Sequence, residues 1–231
     1  DCHISAEART EARRLIDSAA PDAYLPAEDC FRLLRLYNIP MAQSPYLPVG
    51  GSAEALALDY PVVAKVDHPD IIHKSDVGGV RLGLANAQEL DALLAEWTEK
   101  FPGLRGIQVQ QQISGSLEMI IGASVDPALG HSILTGLGGT LVEIFKDVSF
   151  GHVPLAPQDP ERMLRSLRCY PLLEGYRGST KANTAQFRQI LMQVNQLLLD
   201  FPAIREMDIN PLIFDEARGA FFAVDARIRL S

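Results

Sequence analysis

Four strand-length runs, 106–113, 117–125, 131–135 and 141–145, follow one another in the middle of the chain, and each gap between them is short and contains glycine or its equivalent turn residues. Apolar, β-branched segments broken by such turns predict an antiparallel sheet. Helical signals surround them. Ser5 caps an Ala/Arg/Glu-rich helix over 6–19, and 27–37 follows with Pro26 at its start and Cys30, Phe31, Leu34 and Tyr37 at helical spacing. Asn86 with Glu89 reads as a capping box opening a helix whose apolar face is Leu90, Leu93, Leu94 and Trp97. Two further helices are expected over 160–168 and 185–199, with a loop over 174–183 between them, and a hairpin closes the chain. The fold class is α/β (α+β): a small N-terminal lobe, bounded near Ser44 by a Pro/Gly-rich linker over 44–52, and a larger sheet-and-helix lobe.

With 231 residues, 47% of them hydrophobic, the chain can bury a substantial core. A net charge of -8 argues against a general nucleic-acid or anionic-membrane surface. Cys2, Cys30 and Cys169 are far apart and form no CxxC pair, so neither a disulfide framework nor a zinc site is indicated. No apolar run approaches the ~20 residues of a membrane helix, and no signal peptide is evident; the expected compartment is the cytoplasm.

The stretch Pro61–Val80 concentrates the chemistry. Lys65 falls within the apolar run 61–66, where a cation is costly unless an anion meets it, although a snorkelling edge-strand lysine is the bland alternative. His73 and Lys74 then supply a candidate nucleophile and a second cation, with Ser75 and Asp76 beside them, and Gly78 and Gly79 allow backbone amides to approach a ligand.

The closing hairpin sets its own register. Strands over 204–214 and 220–228 flank the loop 216–219, and if Asp215 faces Ala220, Asn210 falls opposite Asp225 and Asp208 opposite Arg227. Alternation puts Glu206, Asp208 and Asn210 on one face. Asn210, Asp225 and Asp208 form a candidate metal-ligating set of oxygens without His or Cys, which suits Mg2+; acids solvating an exposed face are the alternative.

The motifs PVVAKV, HPDIIHKSDVGGV, LEMIIGASVDPALG, GLGGTLVEIFKDVSF and EMDINPL, in this order, resemble the ATP-grasp domain of NDP-forming acyl-CoA synthetases, above all acetyl-CoA synthetase (ADP-forming), and more distantly the succinyl-CoA synthetase β subunit. The resemblance implies a two-lobed ATP-grasp fold, with nucleotide between antiparallel sheets flanked by helices. It places the larger lobe at 23–43 plus 110–231 and the smaller at 44–109, and leaves 1–22, by its Ala/Arg/Glu-rich composition, as an N-terminal connector helix or a domain edge. It further implies ATP/ADP and Mg2+ as cofactors, with Lys65 and Lys74 on nucleotide phosphate, Gln110, Gln111 and Ile113 in the hinge at the adenine, and Glu118 beside the nucleotide. Asn210 and Asp225 match the magnesium ligands, and His73 matches a phosphate-relay histidine in acyl-CoA + ADP + Pi ⇌ acid + CoA + ATP. CoA-binding and ligase domains, fused or separate, are the implied partners, since no GxGxxG region is present.

Weaker features remain open. Glu118 could instead pair with an arginine across the sheet. The glycines of TGLGGT read as turning the backbone, and Glu143 could orient His73 or face water. The family has an arginine where Gly151 and His152 stand, and a Pro-rich acidic turn where 179–183 stands, so partner docking or acyl specificity is expected to differ. Two other functions compete: a non-catalytic nucleotide- or metabolite-sensing domain of a protein lysine acetyltransferase, and a structural domain with a decayed site.

Overall fold

The computed structural model describes residues 4–71, 74, 76–139 and 147–231. His73, Ser75, Glu143 and the strand expected over 141–145 lie outside the described residues. The chain divides into two compact units, one formed by 1–41 with 114–231 and the other by 42–113.

In the smaller unit, β1 (Tyr46–Pro48), β2 (Val62–Asp67), β3 (Val80–Leu84) and β4 (Gly106–Gln111) form an antiparallel sheet in the order β1-β4-β2-β3. Alternation along β2 sends Val62, Ala64 and Val66 into the core, so Lys65 emerges on the other face. One helix faces that core: Ala87–Lys100, with Leu90, Leu93, Leu94 and Trp97 buried. Its start is the expected capping box, in which the Glu89 N–H donates to Asn86 Oδ1 at 2.9 Å while the Glu89 carboxylate accepts from the Ala85 N–H at 2.9 Å.

Two expectations change here. The stretch 44–52 is not only a linker, because Leu47 is buried and pairs with Ile107. Pro48 is tolerated because β1 is an edge strand that need donate no hydrogen bond outward. The lobe boundaries also move, to 41/42 and 113/114. Backbone bonds explain this: the Gln111 N–H donates to Gln43 at 2.8 Å and the Gln112 N–H to Pro61 at 3.0 Å, which ties Gln110–Ile113 to the smaller sheet.

The larger unit holds a six-stranded antiparallel sheet in the order β10-β8-β5-β6-β7, with β9 also on β8. These are β5 (Leu117–Asp126), β6 (Gly130–Leu137), β7 (Val148–His152), β8 (Ile204–Asp215), β9 (Ala220–Ala223) and β10 (Ala226–Leu230). Among the described residues the α-helices are α1 (Ala6–Asp17), α2 (Ala27–Leu36), α3 as the Ala87–Lys100 helix of the other unit, α4 (Asp159–Arg165), α5 (Tyr170–Leu173) and α6 (Thr184–Asp200). Leu117, Met119, Ile121 and Ala123 of β5, with Met207, Ile209 and Leu212 of β8, share one core with Phe187, Leu191 and Leu198 of α6. Phe221 closes it, edge-on to Phe187 at 5.0 Å and tilted on Phe214 at 5.1 Å between ring centroids. The opposite sheet face carries Glu118, Gly122, Asp208, Asn210 and Arg227.

The N-terminal helix is more than a connector. Ala12, Leu15 and Ile16 enter this core, and the Arg9 guanidinium donates to Asp200 at 2.9 Å at the end of α6. Residues 174–183 contain a single 3-10 turn at Tyr176–Gly178, with Arg177 at a φ of 53°.

Candidate functional site

Lys65 lies on an interior strand, between Gln108 of β4 and Val80 of β3, so the edge-strand reading does not hold. Its flanking residues Ala64 and Val66 are fully buried, which fixes the side chain on the opposite face. There the ammonium donates to the Gln110 Oε1 at 3.1 Å, and Gln110 itself is only 4% exposed. A buried amide thereby orients the lysine from the neighbouring strand.

The segment between β2 and β3 leaves and re-enters the sheet beside Lys65, since Val80 is that residue's own cross-strand partner. Gly79 makes the return possible. A Cβ there would lie 2.5 Å from Val66 Cγ2, and the Gly79 N–H donates to the Lys74 carbonyl at 2.7 Å. This amide closes the turn onto Lys74. Gly78 is exposed, and Lys74 is half-buried in the same turn.

Gln111 also has a local task. Its side chain accepts from the Gln43 N–H and donates to Asp59, both at 3.4 Å, so it braces the entry to the sheet. Ile113 is buried at the end of the unit.

In the larger unit the terminal hairpin has the register read from its loop. Asp215 pairs with Ala220, Asp208 with Arg227 and Ile209 with Ala226, and the Asn210 N–H donates to the Asp225 carbonyl at 3.1 Å. Asn210 and Asp225 thus oppose each other, both exposed. Against β5 the same strand is irregular: Met119 pairs with Leu212 but Ile121 with Ile209, so Asn210 and Pro211 together face Ile120. The bulge re-aims the strand at the candidate pair, a common use of such irregularities beside active sites. An amide oxygen and a carboxylate on adjacent strands, with open surface for waters, fit a hard divalent cation such as Mg2+. Among the described residues no group of three or more His, Cys, Asp or Glu forms a closed metal cage.

Asp208 stands two rungs away from that pair, on the same face. Withdrawal from solvent raises its carboxyl above the ordinary value, Arg227 opposes that shift, and Asp225 adds to it. It faces Arg227 across the register and lies on the same sheet face as the Asn210/Asp225 pair.

Glu118 pairs with Ile213 and makes no ion pair among the described residues, which removes the cross-strand arginine alternative. Its carbonyl accepts from the Gly138 N–H at 2.6 Å, and a Cβ on Gly139 would lie 2.7 Å from its carboxylate oxygen. The glycines of TGLGGT thus let the chain pass close over Glu118.

Sequence reasoning missed Asp147. Its carboxylate accepts from the N–H groups of Arg168 at 2.8 Å and Cys169 at 2.7 Å, and pins the start of β7 to α5. Although burial works against ionisation, these bonds hold the carboxyl below its usual range. No spacing signal could reveal a bond between residues 21 and 22 positions apart. Burial pushes the thiols of Cys30 and Cys169 up to about 12, so neither is a nucleophile. No helix among the described residues is long and apolar enough to cross a membrane.

A family model described as an ATP-grasp domain matches residues 18–230. The β subunit of acetate–CoA ligase (ADP-forming) I from Pyrococcus furiosus is 35% identical over 95% of this chain and 98% of its own length. The 4-hydroxybutyrate–CoA ligase (ADP-forming) of Nitrosopumilus maritimus is 31% identical over 96% of this chain, which spans only 33% of that longer protein. Among solved structures, the dinucleotide-forming acetyl-coenzyme A synthetase 1 of Ca. Korarchaeum cryptofilum, in complex with coenzyme A and Mg-AMPPCP, superposes with a TM-score of 0.79 at 30% identity, covering 97% of this chain and 100% of that one.

Proposed function

This chain belongs to the ATP-grasp domain family in the form carried by ADP-forming acyl-CoA synthetases, and from that membership we propose that it binds ADP or ATP with Mg2+ and exchanges phosphate with a relay histidine. The observation that carries the reading is the opposition of Asn210 and Asp225 across the terminal hairpin, where an oxygen pair suited to Mg2+ coincides with the family match.

In this reading Lys65, oriented by Gln110, and Lys74 bind phosphate oxygens, and Glu118 lines the nucleotide. Asn210 and Asp225 hold Mg2+, whose role when bound is to screen the negative charge of the phosphates. His73 carries the phosphoryl group: its P–N bond breaks as a terminal ADP oxygen bonds to phosphorus, the bonding pair stays on the ring nitrogen, and the ring, protonated at its other nitrogen, leaves as neutral imidazole. The overall reaction, acyl-CoA + ADP + Pi ⇌ acid + CoA + ATP, requires CoA-binding and ligase domains. Relatives carry the equivalent of this chain either as a β subunit or as part of a longer protein, so such partners, together with a cytoplasmic location, belong to the same proposal.

Reconstitution with the CoA-binding and ligase partner, followed by assay of acyl-CoA-dependent ATP formation, tests it. The His73→Ala variant is expected to lose ATP formation while still binding ADP. Wild-type turnover in that variant rules out the relay, and a wild-type chain that binds no Mg-nucleotide rules out the whole reading.

A further inference from the structure

We propose that Arg227 is a phosphate-contacting residue of the nucleotide site, binding the oxygens that the Asn210/Asp225 pair leaves uncovered; this rests on the nucleotide reading above. The register places Arg227 opposite Asp208, two rungs from Asn210 opposite Asp225. Asp225 and Arg227 are two residues apart on one face, so their Cα atoms are separated by about 7 Å along the strand. An extended arginine side chain reaches that far, and its planar fork matches phosphate geometry. Ala226 and Ile228 are buried on the other face, so the strand cannot turn Arg227 away without losing core contacts.

What distinguishes this arginine from its strand neighbour is that no described group bonds to its guanidinium, although Asp208 faces it and feels its charge. Its strand neighbour Arg229 is engaged by Glu206 at 3.8 Å and lies over the Tyr24 ring at 6.0 Å. Arg227 makes no hydrogen bond and no ion pair among the described residues, even with Asp208 across from it. It lines a cavity of about 360 Å3 together with Tyr24, Glu206 and Asp208. A divalent cation neutralises only part of the charge of a nucleoside di- or triphosphate. A guanidinium bonded to no described group, two residues along the same face from the candidate cation ligands, is placed to take a share of the remainder.

Calorimetry of the whole chain with ATP, ADP and AMP, each with Mg2+ and with EDTA, tests the assignment using Arg227→Gln and Arg227→Lys. Loss of one charge-assisted contact is expected to weaken ATP binding roughly ten-fold or more in Arg227→Gln. AMP binding should change little, Arg227→Lys should recover part of the loss, and the deficit should persist in EDTA. Mn2+ affinity, read by paramagnetic resonance, should stay within two-fold, roughly the scatter expected of a residue that does not ligate the ion. Equal ATP affinity in Arg227→Gln and the parent chain overturns the inference while leaving the nucleotide reading intact, and so does an equal loss for AMP and ATP. A parent chain that binds no nucleotide fails the nucleotide reading instead, and this inference falls with it.

Discussion

Lys65 and the Asn210/Asp225 pair both stand on the sheet face turned away from a helical core, yet their surroundings differ. Lys65 lies on an interior strand and is tied to a buried glutamine amide. Asn210 and Asp225 are exposed on a hairpin, aligned by one backbone hydrogen bond and a bulge. The lysine is positioned by side-chain bonding within a packed sheet, whereas the Asn210/Asp225 pair is positioned by strand register and by the Ala226 N–H, which donates to the Asp225 carboxylate. Local packing defects should therefore disturb the first more than the second.

The largest effect expected from this contrast comes from Trp97→Ala. Trp97 is fully buried beneath the Lys65 sheet, and its removal should cost the smaller unit about 3–5 kcal/mol. Amide exchange read residue by residue should lose protection in β2 and β4 but retain it in β8 and β10. Equal loss in both sheets would erase the distinction between the two regions.

Single side chains at the two sites give the next largest effects. Lys65→Met should weaken ADP binding about ten- to hundred-fold whether or not Mg2+ is present, as expected for a lost charged hydrogen bond. Asp225→Asn should instead abolish the strengthening of nucleotide binding by Mg2+ and leave metal-free affinity nearly unchanged. Titrations of both variants with and without EDTA make the comparison, and interchangeable profiles would refute separate roles.

The smallest effect concerns the N-terminal helix. Burial alone would raise the Asp200 carboxyl, but hydrogen bonds from Tyr37, Arg9 and Gln196 outweigh it and hold the group below its ordinary value. A depressed carboxylate stabilises the fold above its unfolded pKa of about 3.9 and loses that contribution as pH falls through the folded value. Thermal melts should therefore show Asp200→Asn less stable than the parent at pH 7, with the gap closing below about pH 4. A gap independent of pH would place the effect in packing rather than charge.

Much of the smaller unit was legible in the sequence as separate elements but not as a sheet. The capping box at Asn86 and the alternation around Lys65 are signals among close neighbours. The edge strand at Tyr46–Pro48 was hidden because two prolines and flanking glycines look like a linker, and only its pairing with β4 makes it a strand. Gly79 showed its backbone freedom but not the use of its amide, which depends on where Lys74 comes to lie. Asp147 and the Glu118–Gly138 contact likewise join residues that no period connects.

The sequence by itself determined the helix caps, the strand periods and the register of the terminal hairpin, because a four-residue loop between two alternating strands leaves one pairing that buries both apolar faces. Tertiary structure alone decided the order β1-β4-β2-β3, the attachment of Gln110–Ile113 to the smaller unit, and the bond from Lys65 to Gln110. The division has a physical cause. Caps, periods and short turns are fixed by interactions within a few residues, whereas sheet order and the partners of buried or charged side chains depend on which distant segments pack together.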